Sequence, residues 1–239
     1  MKPWILLGVA PASGDGEELR LYRRDEEFSI RVGGSELMNS RVHGSEDLLG
    51  VLACERIADS PEPRVLIAGL GMGYTLRAVL HGMNAQGRVI VAELLPAVVE
   101  WNRGPLGELA GHPLRDDRVT VREADIAGIL REKRKAYDAI LLDVDNGPRG
   151  LTTIGNDWLY GPRGLRAAFK ALRPGGVLAV WSPGADQAFS DRLHQTGFKV
   201  EEIRVRARDA GRGRRHVIWI AGKPTVRLHG KAEHQCFTK

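Results

Sequence analysis

The sequence predicts an α/β protein: a doubly wound, seven-stranded sheet of five parallel strands plus a C-terminal antiparallel hairpin, preceded by a small N-terminal β-rich element. Three observations predict it. From Arg64 onward, short apolar runs alternate with helical stretches, as a parallel sheet requires, because each crossover must carry the chain back before the next strand begins. The first of these runs breaks at Gly69, Gly71 and Gly73, at the strand-to-helix turn where open α/β sheets take their ligands. The last two runs are separated only by an Arg/Gly-rich turn, too little chain for a parallel crossover.

The elements follow in order. The opening Met1-Lys-Pro-Trp-Ile-Leu-Leu-Gly-Val-Ala10 has the flavour of a secretion signal, but its apolar part is short and acidic residues soon follow, so it reads as a strand. Leu19-Arg-Leu-Tyr22 and Phe28-Ser-Ile-Arg-Val32 alternate between Gly and Asp/Glu clusters and predict small antiparallel strands. A helix is expected from Ser45, as its cap, with Glu46 and Asp47 in the first turn, through Leu48, Leu49, Leu52 and Ala53. Pro61-Glu-Pro63 then marks a boundary. This divides the chain into an N-terminal element (1–60), a main domain (61–224) and a polar tail (225–239).

In the main domain the parallel strands are expected at Val65–Ala68, Val89–Ala92, Val119–Arg122, Ala139–Leu142 and Val177–Trp181, with helices between them. Val200–Arg206 and His216–Ala221 form the hairpin.

Composition narrows the function classes. At 239 residues and 43% hydrophobic content, one substantial core is available. Cys54 and Cys236 stand far apart, and the histidines are scattered, so neither a disulfide framework nor a metal site is suggested and a reducing cytoplasm is expected. No apolar stretch reaches the roughly 18 residues of a membrane span. The net charge of +5 permits an anionic partner. Arg204, Arg206, Arg208, Arg212, Arg214 and Arg215 crowd the hairpin turn without interleaved aromatics; a solvated loop is favoured over an RNA-binding edge.

The glycine spacing bears on the ligand. A dinucleotide fingerprint places its third glycine where Tyr74 stands; here the glycine comes one residue early, in a G-x-G-x-G pattern suited to an S-adenosylmethionine-type donor with no pyrophosphate to hold. The polar residues at the strand ends are therefore the site candidates. Gly69, Gly71, Met72 and Gly73 form the turn, and Glu93, followed by Leu94, is placed for the ribose. Asp125 with Ile126 is placed for the adenine, in preference to the alternative in which Asp125 only caps the helix that Ile126 begins. Asp143, Asp145 and Asn146 make an acidic rim that can hold a cationic amine or take its proton, or that only shapes a turn with Gly147-Pro148. An unperturbed aspartate, with a pKa of about 3.9, is poorly matched to that proton. Trp158 and Tyr160 read equally as a substrate lid or as packing.

On these residues the main domain resembles the spermidine synthases, the polyamine aminopropyltransferases, which share the class I methyltransferase-like fold. The resemblance is carried by Val65-Leu-Ile-Ala-Gly-Leu-Gly-Met-Gly-Tyr-Thr-Leu-Arg-Ala-Val-Leu80, Glu93, Tyr137-Asp-Ala-Ile-Leu-Leu-Asp143 and Leu172-Arg-Pro-Gly-Gly176, with a fainter echo at Gly44-Ser-Glu46. It implies transfer of an aminopropyl group from decarboxylated S-adenosylmethionine to a polyamine such as putrescine, without a metal. It also implies Asp143 as the catalytic aspartate, Glu93 and Asp125 as nucleoside contacts, Glu46 on the substrate side, and a homodimer or larger assembly; Tyr160 joins the substrate side through the lid reading. Two positions depart from the family pattern. Met72 stands where an aspartate usually binds the aminopropyl ammonium and repels the carboxylate of ordinary S-adenosylmethionine, a discrimination worth a few kcal/mol at about 4 Å. Neutral Asn146 stands where a second acid helps to hold a diamine, with Asp145 beside it. Two alternatives accompany this reading: a methyltransferase that uses ordinary S-adenosylmethionine, and a non-catalytic nucleoside- or RNA-binding protein.

Overall fold

The computed structural model describes residues 2–12, 17–144, 156–208 and 212–225. Near the N-terminus, β1 (Ile5–Pro11), β2 (Glu18–Arg24), β3 (Glu27–Val32) and β4 (Ser35–Asn39) form an antiparallel meander in that order. β2 alternates as its sequence requires, with Leu19 and Leu21 buried while Glu18 and Arg20 are exposed. β4 was not foreseen: its residues are exposed or half-buried at the edge of the sheet, so its sequence carries no apolar alternation.

The large sheet is built from β5 (Arg64–Ala68), β6 (Arg88–Glu93), β7 (Val119–Glu123), β8 (Tyr137–Leu142), β9 (Leu172–Ser182), β10 (Lys199–Arg208) and β11 (Arg212–Gly222), in the order β10-β11-β9-β8-β5-β6-β7. β7, β6, β5, β8 and β9 run parallel, and β11 returns antiparallel between β9 and β10. The order reverses after β5, so a crevice opens beyond the C-terminal ends of β5 and β8.

Both faces of this sheet are covered, which is why its central strands are apolar throughout. Val65, Ile67, Ala139, Leu141, Val177, Ala179, Ile218 and Ile220 face one layer, and Leu66, Ala68, Ile140, Leu142, Leu178, Val180, Val217 and Trp219 face the other. The first layer holds α1 (Gly44–Arg56), α2 (Tyr74–Gly82) and α3 (Pro96–Arg103). The second holds α4 (Ile126–Glu132), α5 (Asn156–Tyr160), α6 (Pro162–Ala171) and α7 (Gln187–Thr196). Leu19, Leu21, Phe28 and Ile30 of the small sheet join the first layer's core, so the two sheets share it.

α1 begins two residues earlier than the sequence suggested. His43 is its cap position, and Ser45 lies inside the first turn with its hydroxyl bonded elsewhere, so Ser45 is not the helix cap. No helix among the described residues is long and apolar enough to cross a membrane.

Candidate active site

The glycine turn is locked by its neighbours. Gly69 has φ 84°, and a β-carbon there would lie 2.6 Å from the carbonyl oxygen of Asp143, so only glycine lets β5 and β8 close at this point. Asp143 is tied into the same junction, its amide donating to the Ala68 carbonyl at 3.1 Å. A β-carbon on Gly71 would lie 2.7 Å from Cε of Met38, so β4 lays a thioether directly over the turn. From α3, the Asn102 amide donates to the Gly71 carbonyl at 2.8 Å.

Glu93, at the end of β6, is buried and accepts from two backbone amides: Leu70 at 2.8 Å and Leu95 at 2.9 Å. It therefore fixes the glycine turn and the β6–α3 turn with a single carboxylate. Leu94 beside it is 52% exposed, an uncovered apolar side chain next to the ribose candidate. Asp125 caps α4, one oxygen accepting from the Ala127 amide at 2.8 Å. The Ile126 side chain packs into the second layer and offers little surface to a ring. Met72 is 1% exposed and lies in the core of the first layer. Its side chain thus turns inward where the family pattern projects an acid, and it contributes only backbone to the turn.

At the end of β8 the half-buried Asp143 accepts from the Thr75 hydroxyl at 2.6 Å, and the same hydroxyl lies 3.3 Å from the Glu46 carbonyl. α1 and α2 thereby bring Glu46 and Asp143 together. Burial pushes the Glu46 carboxyl up to about 7, with the charge of Asp143 adding to the effect. Asp143 is likewise raised by burial, against the opposing hydrogen bond from Thr75. The two carboxyls thus disfavour each other's ionisation, both being raised from their ordinary values. Burial shifts Asp143 in the direction that narrows the mismatch of an ordinary aspartate with an amine proton.

The Thr75-Leu76-Arg77 stretch has a structural explanation: Thr75 reaches Asp143, Leu76 is buried in the core, and Arg77 pairs with Asp47 at 2.7 Å. Asp47 also bonds the His43 ring at 2.7 Å, and that ring stacks on Tyr74 with centroids 4.1 Å apart. Tyr160 is 3% exposed, and its hydroxyl donates to the Val144 carbonyl at 3.1 Å, so it packs against Val144 and does not stand out as an exposed lid. Trp158, half-buried, lies under the Arg131 guanidinium at 4.3 Å. Asp145 and Asn146 lie outside the described residues. On the hairpin, Arg206 pairs with Arg215 across the ladder, both exposed. Among the described residues no cluster of His, Cys, Asp or Glu is arranged to hold a metal ion.

Sequence reasoning missed Met38, Thr75 and Asn102. Thr75 alone carried a signal: it is the second residue of the helix that follows the glycines and lies in the Thr75-Leu76-Arg77 stretch of the family resemblance.

Solved structures share this architecture. Spermidine synthase from Thermotoga maritima superimposes with a TM-score of 0.71 at 19% identity, over 91% of this chain and 72% of that one. A spermidine synthase in complex with the transition-state analogue AdoDATO gives 0.70 at 19% identity, with the same coverage of 91% and 72%. An S-adenosylmethionine-dependent O-methyltransferase from Thermotoga maritima gives 0.53 at 19% identity, over 77% of this chain and 66% of that one. The sheet order and these neighbours define a class I methyltransferase-like fold. In sequence, the spermine/spermidine synthase domain matches residues 46–197. Polyamine aminopropyltransferase 1 of Streptomyces coelicolor is 40% identical over 85 residues, which are 35% of this chain but only 16% of that protein. The chain belongs to the spermine/spermidine synthase family, a family of enzymes.

Proposed function

We propose that the protein transfers an aminopropyl group from decarboxylated S-adenosylmethionine to a polyamine, releasing methylthioadenosine. The observation that carries this reading is the Asp143–Glu46 pair beside the glycine turn, held by Thr75 and raised toward neutrality. In the reaction the acceptor nitrogen attacks the aminopropyl carbon bonded to sulfur. The C–N bond forms, the C–S bond breaks with its electron pair passing to sulfur, and the nitrogen must then lose a proton. A carboxylate with a pKa near 7 is a competent base for it, a contribution of roughly 10²–10⁴-fold in rate. The remaining negative charge of the pair attracts the cationic acceptor.

The donor's nucleoside would lie along Glu93, Leu94 and Asp125. Glu93 already accepts two amides, but a carboxylate has about four acceptor positions and so retains capacity for ribose hydroxyls. Exposed Leu94 supplies an apolar surface for the base. Asp145 and Asn146 belong to this reading as amine contacts. A cytoplasmic protein and a homodimer are also part of it, the latter supported by the exposed Ile5, Leu7 and Val9 of edge strand β1.

The inward turn of Met72 favours one second reading. With no acid at the turn to repel a carboxylate, ordinary S-adenosylmethionine can be the donor of a methyl transfer. Calorimetry with each donor, and methylthioadenosine release from a panel of di- and polyamines, separates the two. Tighter binding of the decarboxylated donor with release is the expected result. Silence across the panel, with preference for ordinary S-adenosylmethionine, would move the assignment to methyl transfer.

A further inference from the structure

The β11 ladder brings one more group to the acid pair. Val217 and Trp219 pack into the second layer and Ile218 and Ile220 into the first, so the strand's alternation turns His216 toward α1. There His216 Nδ1 lies 3.0 Å from Ser45 Oγ, and the edge of Trp181 on β9 steadies the ring at 4.9 Å between centroids. Ser45 is fully buried, and its Oγ lies 2.6 Å from Glu46 Oε2. An unbroken chain of hydrogen-bonding atoms therefore runs from the acid pair to the hairpin.

A serine hydroxyl has one hydrogen and two lone pairs. It can donate to an ionised Glu46 while accepting from Nδ1–H, or accept from protonated Glu46 while donating to a bare Nδ1. We infer that Ser45 and His216 relay the proton released by the acceptor amine away from Glu46, making His216 the outlet of the site; this rests on the aminopropyl-transfer reading above. The N–H bond of the alkylated amine breaks, its electron pair staying on nitrogen, and the proton forms an O–H bond on Glu46. Glu46 then passes its proton to Ser45 Oγ as the serine hydrogen moves to Nδ1, and the imidazolium loses its Nε2 proton to water. Proton exchange with solvent restores the starting tautomer.

The groups facing the relay set its direction. Glu46 faces Asp143 beyond β8, Thr75 and Tyr74 on α2, and Asp47 on its own helix, which is already paired with Arg77 and His43. His216 is paired with Val205 on β10, between the Arg206–Arg215 and Arg204–Val217 pairs. The acid end is thus crowded with carboxylates that disfavour a second negative charge, while Arg204, Arg206 and Arg215 alternate onto the opposite face of the ladder from His216. Glu46, with its pKa near 7, loads and unloads at neutral pH.

The test has two independent arms on the full chain. In the first, imidazole nitrogen NMR follows His216 through a pH titration. The wild type should show an inflection that tracks Glu46; Ser45→Ala and Glu46→Gln should lose it, and Ser45→Thr, which retains the hydroxyl, should keep it. A single inflection that is identical in wild type and Ser45→Ala overturns the relay. In the second, His216→Gln should lower kcat for methylthioadenosine release about tenfold or more with KM unchanged, and added imidazole should restore it. An unchanged kcat and pH profile in His216→Gln also overturns it. Absence of release by the wild type rejects the aminopropyl-transfer reading, and the NMR arm still decides whether the proton path exists.

Discussion

The two ends of the crevice are held by different physics. Beyond β5 and β6, Glu93 is fixed by two backbone amides and Gly69 by contact with another strand's main chain, so both shape and charge are permanent. Beyond β8, Asp143 is held by one hydroxyl and shares its surroundings with Glu46, so the charge there is exchangeable. Under the proposed reaction the difference amounts to a division of labour: one side would keep a donor's sugar in place, and the other would trade protons with an acceptor. A site with two rigid ends would bind and not react; one with two titrating ends would react without register.

The largest effect that can break this comparison is expected at Asp143. Asp143→Asn should cut methylthioadenosine release by roughly 10²–10⁴-fold. Melting temperature should not fall, because burial already disfavours the charge that is removed. A variant with wild-type turnover would place the reactive end elsewhere. Next comes Glu93→Ala, which strands the amides of Leu70 and Leu95 and should cost about 2 kcal/mol or more of stability by denaturant unfolding. A neutral result there would mean that the rigid end is not rigid through Glu93.

A third expectation concerns pH. The Glu46 carboxyl is raised from 4.5 to about 7, so across that window the folded chain holds more protons than the unfolded chain and stability falls as pH rises. Thermal melts between about pH 5 and about pH 8 should show this slope in the wild type and a weaker one in Glu46→Gln. The smallest effect is expected for Thr75→Val. Loss of its hydrogen bond should raise Asp143 further and move the acid limb of the pH–rate profile upward by less than about one unit, since one such bond contributes about 1 kcal/mol.

Legibility in the sequence follows the range of the interactions. The central strands of the large sheet were legible because burial on both faces leaves an apolar run that needs no context, as in Val65-Leu-Ile-Ala68, whereas the edge strands β7 and β10 are largely exposed and show only a partial alternation. β4 was not legible, because an exposed edge strand such as Ser35-Glu-Leu-Met-Asn39 bears no such mark. In the site, Gly69, Glu93 and Asp143 could be found from their places at strand ends. The inward turn of Met72 depended on backbone angles around three glycines, which spacing does not encode. Ser45 and His216 are separated by 171 positions, and only the completed sheet makes them neighbours.

Met38 over Gly71, with Leu21 and Ile30 in the common core, bears on how the chain can be dissected. The prolines at 61 and 63 mark a seam in the polypeptide without marking a seam in the packing. Expression from Arg64 onward would strip away α1 along with the meander, leave the flanks of α2 and α3 uncovered, and delete Glu46. The leading sixty residues are masonry of the candidate site, and a trimmed protein should be judged by its solubility before its turnover.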